Sequence, residues 1–430
     1  KVQPIVGKDM KVGMRIPVSK NIKNGTLVNE TVKVGDKLFA LDELFGWFIG
    51  AYLAEGSINY NTICITNIST VFIQNTIEFA ARFGKECKIY EKESEYGHTT
   101  DVKFTCAELA DFLKITCGNG SFYKSVPDFA FVAPNEFKAR LIQAYIDGDG
   151  NIQCDEKHHM IRVCSRSLQL IKDVALLINY FGIFGSIHST HTRGSELHHL
   201  SISAKYAESY KSNIGSSLES KMVALNGLVE YLNRDDAHNV SDEIDKINGL
   251  GHIIAHCGKT LELEGQSRIY GRWARGIKDA STVSIGRRTL QKYIAEFESS
   301  PKAPSIAEEL RILKQAADAD VVWDEIVEID VWTPEQSEMV YDFTVPGNQT
   351  FLTDYGVYVH NTLNSVTYET EIAVRNNKGI VRKVQIGDFT KEFIEKATKK
   401  EYYADKDTTY AELDEYYEIP SSNEEGKCTW

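Results

Sequence analysis

The sequence predicts an α+β protein in which a mostly β domain is interrupted by a pseudo-twofold insertion of helices and strands. Three observations predict this fold. Both ends of the chain carry short apolar runs of β-branched and aromatic residues between turn residues. A pattern of helix, strands, helix and further strands occurs twice between Leu41 and about residue 210. The region 211–304 has helical periodicity.

Length and composition set the class of the protein. The chain has 430 residues, enough for two or three domains with cores. Its hydrophobic content of 42% and mean hydropathy of -0.29 are typical of a soluble globular protein, and no apolar run approaches the roughly 20 residues that span a membrane. The eight cysteines include no Cys-x-x-Cys pair, so neither a zinc site nor a disulfide framework is indicated, and we expect an intracellular, cytoplasmic setting.

The first 36 residues are β-like and rich in turns, as in VQPIVGKDMKVGMRIPV. A segment of this length is too short to bury a core alone. We therefore expect residues 1–36 to pair with the segment 320–362, which has similar strand character. The stretch between the two segments is then an insertion.

An internal repeat opens this insertion, over residues 37–210. The first copy begins LDELFGWFIGAYLAEGSI at Leu41 and the second begins NEFKARLIQAYIDGDGNI at Asn135. Each helical pattern ends on an acid that glycine follows, Glu55 in the first copy and Asp149 in the second. Small residues would let the two helices pack side by side with the acids together: Gly50, Ala54, Ala144 and Gly148.

Two adjacent carboxylates favour a bound cation. They repel each other unless a cation lies between them. Mg²⁺ takes oxygen ligands and retains waters, and such metals activate water for phosphodiester hydrolysis. Either acid alone is more simply explained as a solvated helix end. The matched occurrence of Glu55 and Asp149 in two repeats favours a metal site.

The motifs GAYLAEG at 50–56 and AYIDGDG at 144–150 resemble those of the LAGLIDADG homing endonucleases. The resemblance covers about residues 40–210 and implies an αββαββα fold whose strands form a saddle in the DNA major groove. It implies that Glu55 and Asp149 bind the catalytic Mg²⁺. Intein-borne members often carry a lysine before a proline between the repeats, which corresponds to Lys124 before Pro127. A surface lysine is the equal alternative for Lys124.

The net charge of -13 disfavours DNA binding by the chain as a whole, but one basic cluster stands out. It lies in the helical region 211–304, contains a single acid, and has aromatic residues nearby. This composition predicts a small helical DNA-binding subdomain, with a solvated basic face as the alternative. The predicted DNA-binding residues are Arg268, Arg272, Arg275, Lys278, Arg287, Arg288 and Lys292.

A second candidate site ends the stretch VYDFTVPGNQTFLTDYGVYVHNT, from Val340 to Thr362. Its pattern predicts a strand, a turn and a second strand that stops on His360-Asn361-Thr362. An asparagine amide can attack its own backbone carbonyl and cut the chain, given a proton donor and a following hydroxyl. An edge hairpin that merely ends in His-Asn is the alternative for the tripeptide alone.

Over its whole length this stretch resembles the C-terminal splicing motifs of inteins, and SVTYETEI from Ser365 to Ile372 resembles their first motif. These motifs are similar to those of inteins inserted in family B DNA polymerases. The resemblance implies a Hint-type splicing domain, flanking host-protein segments, and no cofactor for splicing. It implies that Ser365 attacks the preceding carbonyl, that Thr362 takes over the acyl group and that Asn361 cyclises with help from His360. Asp342 matches an acid that assists the transesterification.

The splicing motifs are out of order for a simple intein, because the head segment 365–430 follows the tail segment 320–362. Either a single intein is permuted, or the chain holds the end of one intein and the start of another. Inteins also carry a Thr-x-x-His motif that assists the first splicing step, and this sequence contains none. Gln349 stands where the family often has histidine.

The sequence thus predicts an intein that excises itself and carries a Mg²⁺-dependent, site-specific endonuclease for double-stranded DNA. We expect a monomer without a membrane partner. One alternative is a LAGLIDADG-type DNA-binding module that no longer cuts. Another is a hedgehog-like autoprocessing protein, which shares the splicing fold.

Overall fold

The computed structural model describes most of the chain and divides it into two compact units. Unit 1 comprises Lys1–Ile22, Ser241–Ala373 and Val384–Trp430, and unit 2 comprises Lys23–Val240 and Val374–Lys383. No described helix is long and apolar enough to cross a membrane. The described residues are 5–22, 30–94, 97–156, 158–192, 194–232, 245–263, 284–331, 338–353, 356–360, 365–405, 407–423 and 425–430.

Three strands precede the first repeat. Strand β1 is Arg15–Ser19, and β2 (Thr31–Val34) pairs with β3 (Lys37–Ala40) in an antiparallel hairpin. The first repeat then contains helices α1 (Glu43–Glu55), α2 (Thr70–Arg82) and α3 (Ala107–Thr116). Its antiparallel sheet has the order β4-β5-β7-β6, from β4 (Gly56–Asn59), β5 (Thr62–Thr66), β6 (Lys88–Ser94) and β7 (Gly97–Thr105).

The second repeat has the same layout. Its helices are α4 (Asn135–Asp149), α5 (Leu168–Ile178) and α6 (Ala207–Asn213). Its sheet has the order β10-β11-β9-β8, from β8 (Asn151–Cys154), β9 (His159–Ser165), β10 (Gly185–Thr192) and β11 (Ser195–Ser203). The predicted αββαββα order is therefore confirmed.

One hydrophobic core joins the two repeats. Alternate strand residues such as Ile63, Ile65, Val163 and Leu200 are buried, as expected for sheets with one covered face. Helix α7 (Glu219–Leu232) adds Leu225 and Leu228 to the same core. The predicted helical region 211–304 is therefore divided, because α7 belongs to unit 2 while the helices that follow belong to unit 1.

These later helices of unit 1 surround a separate core. They are α8 (Gly251–Thr260), α9 (Arg287–Glu298) and α10 (Ala307–Asp318), and their core includes Ile254, Leu290 and Leu313. Strand β12 (Lys246–Asn248) pairs with β13 (Ser284–Gly286) beside them. Strand β14 (Val321–Glu325) pairs with β1, with Arg15 opposite Glu325. This pairing confirms the prediction that the first segment joins the segment 320–362.

The C-terminal part of the chain consists of short strands. β15 (Thr350–Leu352) pairs with β16 (Tyr358–His360), and the order β18-β17-β21 joins β17 (Glu371–Asn376), β18 (Val381–Gln385) and β21 (Tyr417–Glu418). Helix α11 is Ile386–Lys396. Two further pairs are β19 (Lys400–Tyr403) with β20 (Thr408–Ala411), and β22 (Ser421–Ser422) with β23 (Cys428–Thr429).

One local prediction in this region is wrong. The apolar residues from Val340 to Val345 predicted a strand, but only Tyr341 makes an isolated bridge there, to Val366. Pro346 cannot donate a ladder hydrogen bond and a turn begins there, at residues 346–348, so the pairing of Tyr341 does not continue along the segment.

Candidate active site

Helices α1 and α4 approach each other so closely that there is no room for a side chain at several glycine positions. A Cβ atom at Gly46 would lie 2.2 Å from the carbonyl oxygen of Phe137, and one at Gly50 would lie 2.1 Å from that of Leu141. At the other end of the pair, a Cβ at Gly148 would lie 2.6 Å from the Cβ of Ala54. Glycine is therefore required at these positions. Gly50 and Gly148 are among the small residues that the sequence predicted, and Gly46 is a further one.

This packing brings the two acids together. Glu55 is the last residue of α1 and Asp149 is the last residue of α4. The Oε1 atom of Glu55 lies 3.6 Å from the Cβ position of Gly148, the neighbour of Asp149. The same oxygen accepts a hydrogen bond from Nδ2 of Asn67 at 2.9 Å, which fixes the side chain. The predicted juxtaposition of the two carboxyl groups is confirmed.

The acids are held in an environment that disfavours their charge. Desolvation, followed by repulsion from Glu55, raises the pKa of Asp149 to about 7. Desolvation also raises the pKa of Glu55, against a lowering by Asn67 and two lysines. The Asp149 side chain is nevertheless exposed at the surface. Two crowded carboxyl groups that a ligand can reach are the expected form of a cation site.

Lys124 is buried beside the end of α1, so the alternative of a surface lysine is wrong. Its Nζ donates hydrogen bonds to the carbonyl oxygens of Tyr52, Leu53 and Gly56 at 2.8, 3.0 and 2.8 Å. They lie at the C-terminus of α1, where a helix leaves carbonyl groups without a full set of hydrogen bonds. The carbonyl oxygen of Tyr52 also accepts from the backbone nitrogen of Gly56. Burial lowers the pKa of Lys124 to about 8, although Asp149 and Glu55 act in the opposite direction.

Lys221 of α7 occupies the matching place in the second repeat. Its Nζ donates to the carbonyl oxygens of Ile146, Asp147 and Gly150 at 2.8, 2.6 and 2.7 Å, which are the corresponding atoms at the end of α4. Burial lowers its pKa as well. Sequence reasoning missed this residue, although Lys221 follows the second repeat much as Lys124 follows the first.

The residues at the helix ends fit a hard divalent cation. Within the described residues, no cluster of three or more His, Cys, Asp or Glu side chains is placed to hold a metal ion. Two carboxylates suffice for Mg²⁺, which is commonly bound by one or two of them together with waters and substrate phosphates. Glu55 and Asp149 are the residues that would hold it.

The two sheets present polar faces opposite the core. In the first sheet Lys88 lies beside Lys103, and Lys92 pairs with Asp101. In the second sheet Arg162 contacts His199 at 3.0 Å, and the His199 ring stacks on that of His188 with 4.7 Å between centroids. Sequence reasoning did not name these side chains. Asp101 and His199 are buried. The exposed or half-buried ones are candidates for contacts to DNA: Lys88, Lys92, Lys103, Arg162 and His188.

The predicted basic cluster is only partly described. Arg268, Arg272, Arg275 and Lys278 lie outside the described residues. Arg288 is half-buried and Lys292 is exposed on α9.

Arg287 is a correction to this cluster. It is 6% exposed, pairs with Asp245 at 2.9 Å, and donates to backbone carbonyls that include those of Ala317 and Val321. A guanidinium with its donors engaged inside the protein has none left for DNA. The prediction that Arg287 contacts DNA is therefore wrong.

The second candidate site lies in unit 1. The backbones of Tyr341 and Val366 exchange two hydrogen bonds, at 2.8 and 2.9 Å, which places Ser365 beside the chain segment of Asp342. Ser365 is exposed, and His360 is half-buried on β16 opposite Thr350. Oδ1 of Asp342 accepts a hydrogen bond from the backbone nitrogen of Phe343. Asn361 and Thr362 lie outside the described residues.

Comparisons with known proteins identify the repeated region. The family model of the LAGLIDADG-like domain matches residues 42–116 and 136–215. Each match begins with one of the two paired helices, α1 or α4. The chain therefore contains a LAGLIDADG-like domain, within a mixed α and β fold.

Two relatives from Methanocaldococcus jannaschii extend beyond this domain. The DNA-directed RNA polymerase subunit Rpo1C is 32% identical over 419 residues, covering 91% of this chain and 47% of that protein. The replication factor C small subunit is 24% identical over 351 residues, covering 76% of this chain and 17% of that protein. The chain thus spans less than half the length of each of these relatives.

Among solved structures, the homing endonuclease I-DmoI in complex with DNA and Mn has 14% sequence identity to this chain and a TM-score of 0.31. The match covers 41% of this chain and 99% of that chain.

Proposed function

We propose that the LAGLIDADG-like domain of this chain is a Mg²⁺-dependent endonuclease that cuts double-stranded DNA at a specific site. The observation that carries this proposal is the pairing of Glu55 and Asp149 at the ends of two helices in backbone contact. The raised pKa values of both carboxyl groups support it, because a divalent cation would relieve the cost of placing two charges together.

The residues of the chain have distinct tasks in this proposal. Glu55 and Asp149 hold Mg²⁺, which when bound activates water and stabilises the leaving oxygen of a phosphodiester. Lys124 and Lys221 fix the helix ends that carry the acids and supply positive charge beside the scissile phosphates. Since each repeat contributes one acid and one lysine, the arrangement suits one cut in each strand of a duplex.

The experiment that tests this function starts from a library of randomised duplex DNA, from which the full chain selects molecules that it cuts. We expect double-strand cutting of the selected DNA in the presence of Mg²⁺ and none when the metal is chelated. A chain that binds the library but cuts none of it would instead support the alternative of a DNA-binding module that no longer cuts. Cutting that persists without divalent metal would contradict the role of the two acids.

We infer a second function, protein splicing, from unit 1. Segments far apart in sequence, 15–19, 321–325, 341–360 and 365–372, pair with one another there, through β1–β14 and the bridges of Val18 to Val357 and Thr353 to Ile372. In this proposal Ser365, Thr362, Asn361 and His360 carry out the splicing steps, with Asp342 assisting. The flanking host segments belong to a nucleic-acid polymerase, a class that the family B resemblance and the Rpo1C relative support.

Intact mass after expression tests the splicing proposal. We expect products cut next to Asn361 or Ser365, because both nucleophilic side chains are present. A chain that keeps its full mass under conditions that promote splicing would contradict this function and leave the nuclease proposal unaffected. In this proposal the protein acts as a monomer inside the cell.

A further inference from the structure

We propose that Lys383, a residue outside both endonuclease repeats, positions Lys124 of the nuclease site through an ion pair with Asp173. The expected effect on DNA cutting rests on the proposed nuclease function, whereas the contacts that link Lys383 to Lys124 do not. Lys383 belongs to strand β18 of the C-terminal part of the chain, where the intein resemblance predicts splicing residues. Contacts nevertheless assign residues Val374–Lys383 to unit 2, with the repeats.

The ion pair is close and buried. Nζ of Lys383 lies 2.9 Å from Oδ1 of Asp173, and the two side chains are 10% and 2% exposed. The ammonium group also lies 5.2 Å from the centroid of the Phe131 ring, and Nε2 of Gln169 donates to the same carboxylate oxygen at 2.9 Å. Removing one partner of such a pair is destabilising locally, because a buried charge loses its counter-charge.

Asp173 connects this pair to the backbone around Lys124. Its second oxygen, Oδ2, accepts a hydrogen bond from the backbone nitrogen of Val126 at 3.1 Å. Ser167, at the start of the same helix α5, donates from Oγ to the carbonyl oxygen of Lys124 at 2.7 Å. Helix α5 therefore holds the chain on both sides of Ser125, and Asp173 is one of its two anchors.

A change at Lys383 affects the nuclease site because the side chain of Lys124 is tightly constrained. Its Nζ reaches three carbonyls at the end of α1 only while its own backbone stays in place. A shift of the backbone at Val126 also moves the nearby backbone of Lys124, from which this side chain extends. Lys383 is thus a positioning residue, which acts on the acid Glu55 through Asp173, Val126 and Lys124.

Lys221 provides an internal control, because other groups hold it. The loop before α7 is fixed by Asp147, which accepts hydrogen bonds from Oγ of Ser216 and from the backbone nitrogen of Ser217 at 2.5 and 2.8 Å. Asp147 is a different residue from Asp173, the partner of Lys383. A change at Lys383 is therefore expected to affect Lys124 and to spare Lys221.

The first test uses amine acylation of the full chain, followed by mass spectrometry of the peptides that contain Lys124 and Lys221. In Lys383→Met we expect Lys124 to react about tenfold faster, because its ammonium group leaves its three acceptors more often. Lys221 keeps its rate, and Lys383→Arg restores that of Lys124. Unchanged labelling of Lys124, or an equal rise at both lysines, would overturn the proposal.

The second test measures cutting of each DNA strand separately. Lys383→Met and Lys124→Met are expected to slow the same strand, with binding of the DNA unchanged and with no further loss in the double variant. Additive losses, or a weaker affinity that accounts for the slower cutting, would overturn the proposal. Lys399→Met is the matched control, since Lys399 pairs with Glu412 at 2.7 Å on the exposed surface. If the unmodified chain cuts no DNA, the nuclease function fails, and the labelling test still decides the positioning role.

Discussion

The environment of the two catalytic candidates, Glu55 and Asp149, disfavours the ionised form of their carboxyl groups. A carboxylate at a helix C-terminus faces the negative end of the helix dipole, and here two such carboxylates are adjacent. Lys124 and Lys221 compensate in part, but their ammonium groups are already hydrogen-bonded to carbonyls. The site is therefore prepared for a cation that the protein does not itself supply.

The pH dependence of metal binding follows from the pKa of Asp149, which is raised to about 7. Only the deprotonated carboxyl group binds Mg²⁺, so protons compete as the pH falls through this value. Affinity for Mg²⁺ in the absence of DNA is expected to be about tenfold weaker at about pH 6 than at about pH 8. Isothermal titration calorimetry at the two pH values measures this difference. An affinity independent of pH over this range would show that Asp149 is not a ligand.

The individual residues differ in how far the sequence revealed them. Glu55 and Asp149 were predictable, because the same acid-glycine pattern ends two repeated helices. Lys221 was not named, since no proline follows it as one follows Lys124. The burial of Arg287 depends on Asp245, a partner 42 positions away, and a basic run in a sequence does not distinguish buried arginines from exposed ones.

At the scale of elements, the pair α1–α4 determines the geometry of the site. The absence of side chains at Gly46, Gly50 and Gly148 lets the two backbones touch, and the helix ends then converge. At Gly46 and Gly50 this contact tolerates no added volume, because the obstructing atoms are backbone carbonyls that cannot rotate away.

Gly50→Ala tests this contact. The added Cβ would lie 2.1 Å from the carbonyl oxygen of Leu141, so the helices must separate. We expect a loss of about 3 kcal/mol in the free energy of unfolding, together with loss of DNA cutting. Chemical denaturation measures the first effect and a cleavage assay the second.

Gly7→Ala is the control for this substitution, because no described atom lies within 4 Å of a Cβ at Gly7. It is expected to change the free energy of unfolding by less than about 0.5 kcal/mol. If the two variants were equally stable, close packing of α1 on α4 would not be what holds the acids together.

Strong local periodicity made the repeated elements predictable, whereas the short strands could not be predicted. The helix and strand order of both repeats follows from patterns of apolar residues several turns or strands long. Strands of two or three residues, such as β21, β22 and β23, carry no such pattern. They are defined by partners elsewhere in the chain.

At the scale of the whole molecule, contacts within unit 1 bear on the order of the splicing motifs. In unit 1 the last residues of the chain contact the segment 319–352: the backbone nitrogen of Asp320 donates to Gly426 at 2.8 Å, and that of Leu352 donates to Pro420 at 2.8 Å. Thr350 and Ser421 are hydrogen-bonded through their hydroxyl groups. Under the proposed splicing function, the hydrogen bonds between the head and tail segments favour a single permuted intein over two fragments.

Asn361→Ala is the variant that tests C-terminal cleavage by such an intein. Without the side-chain amide no succinimide forms, so cleavage after residue 361 is expected to stop. Asn364→Ala, three positions later, is the control and is expected to leave this cleavage unchanged. Denaturing gels and intact mass follow both variants. Normal cleavage in Asn361→Ala would remove the splicing assignment for this residue.

The central claim is that two acids from two repeats form one metal-dependent cutting centre. The most direct measurement compares cutting and binding of the selected DNA by the unmodified chain, Glu55→Gln and Asp149→Asn, with Mg²⁺ present. Both variants are expected to bind the DNA as the unmodified chain does and to lose double-strand cutting, by a factor of about 100 or more. Double-strand cutting at the unmodified rate by either variant would contradict the claim.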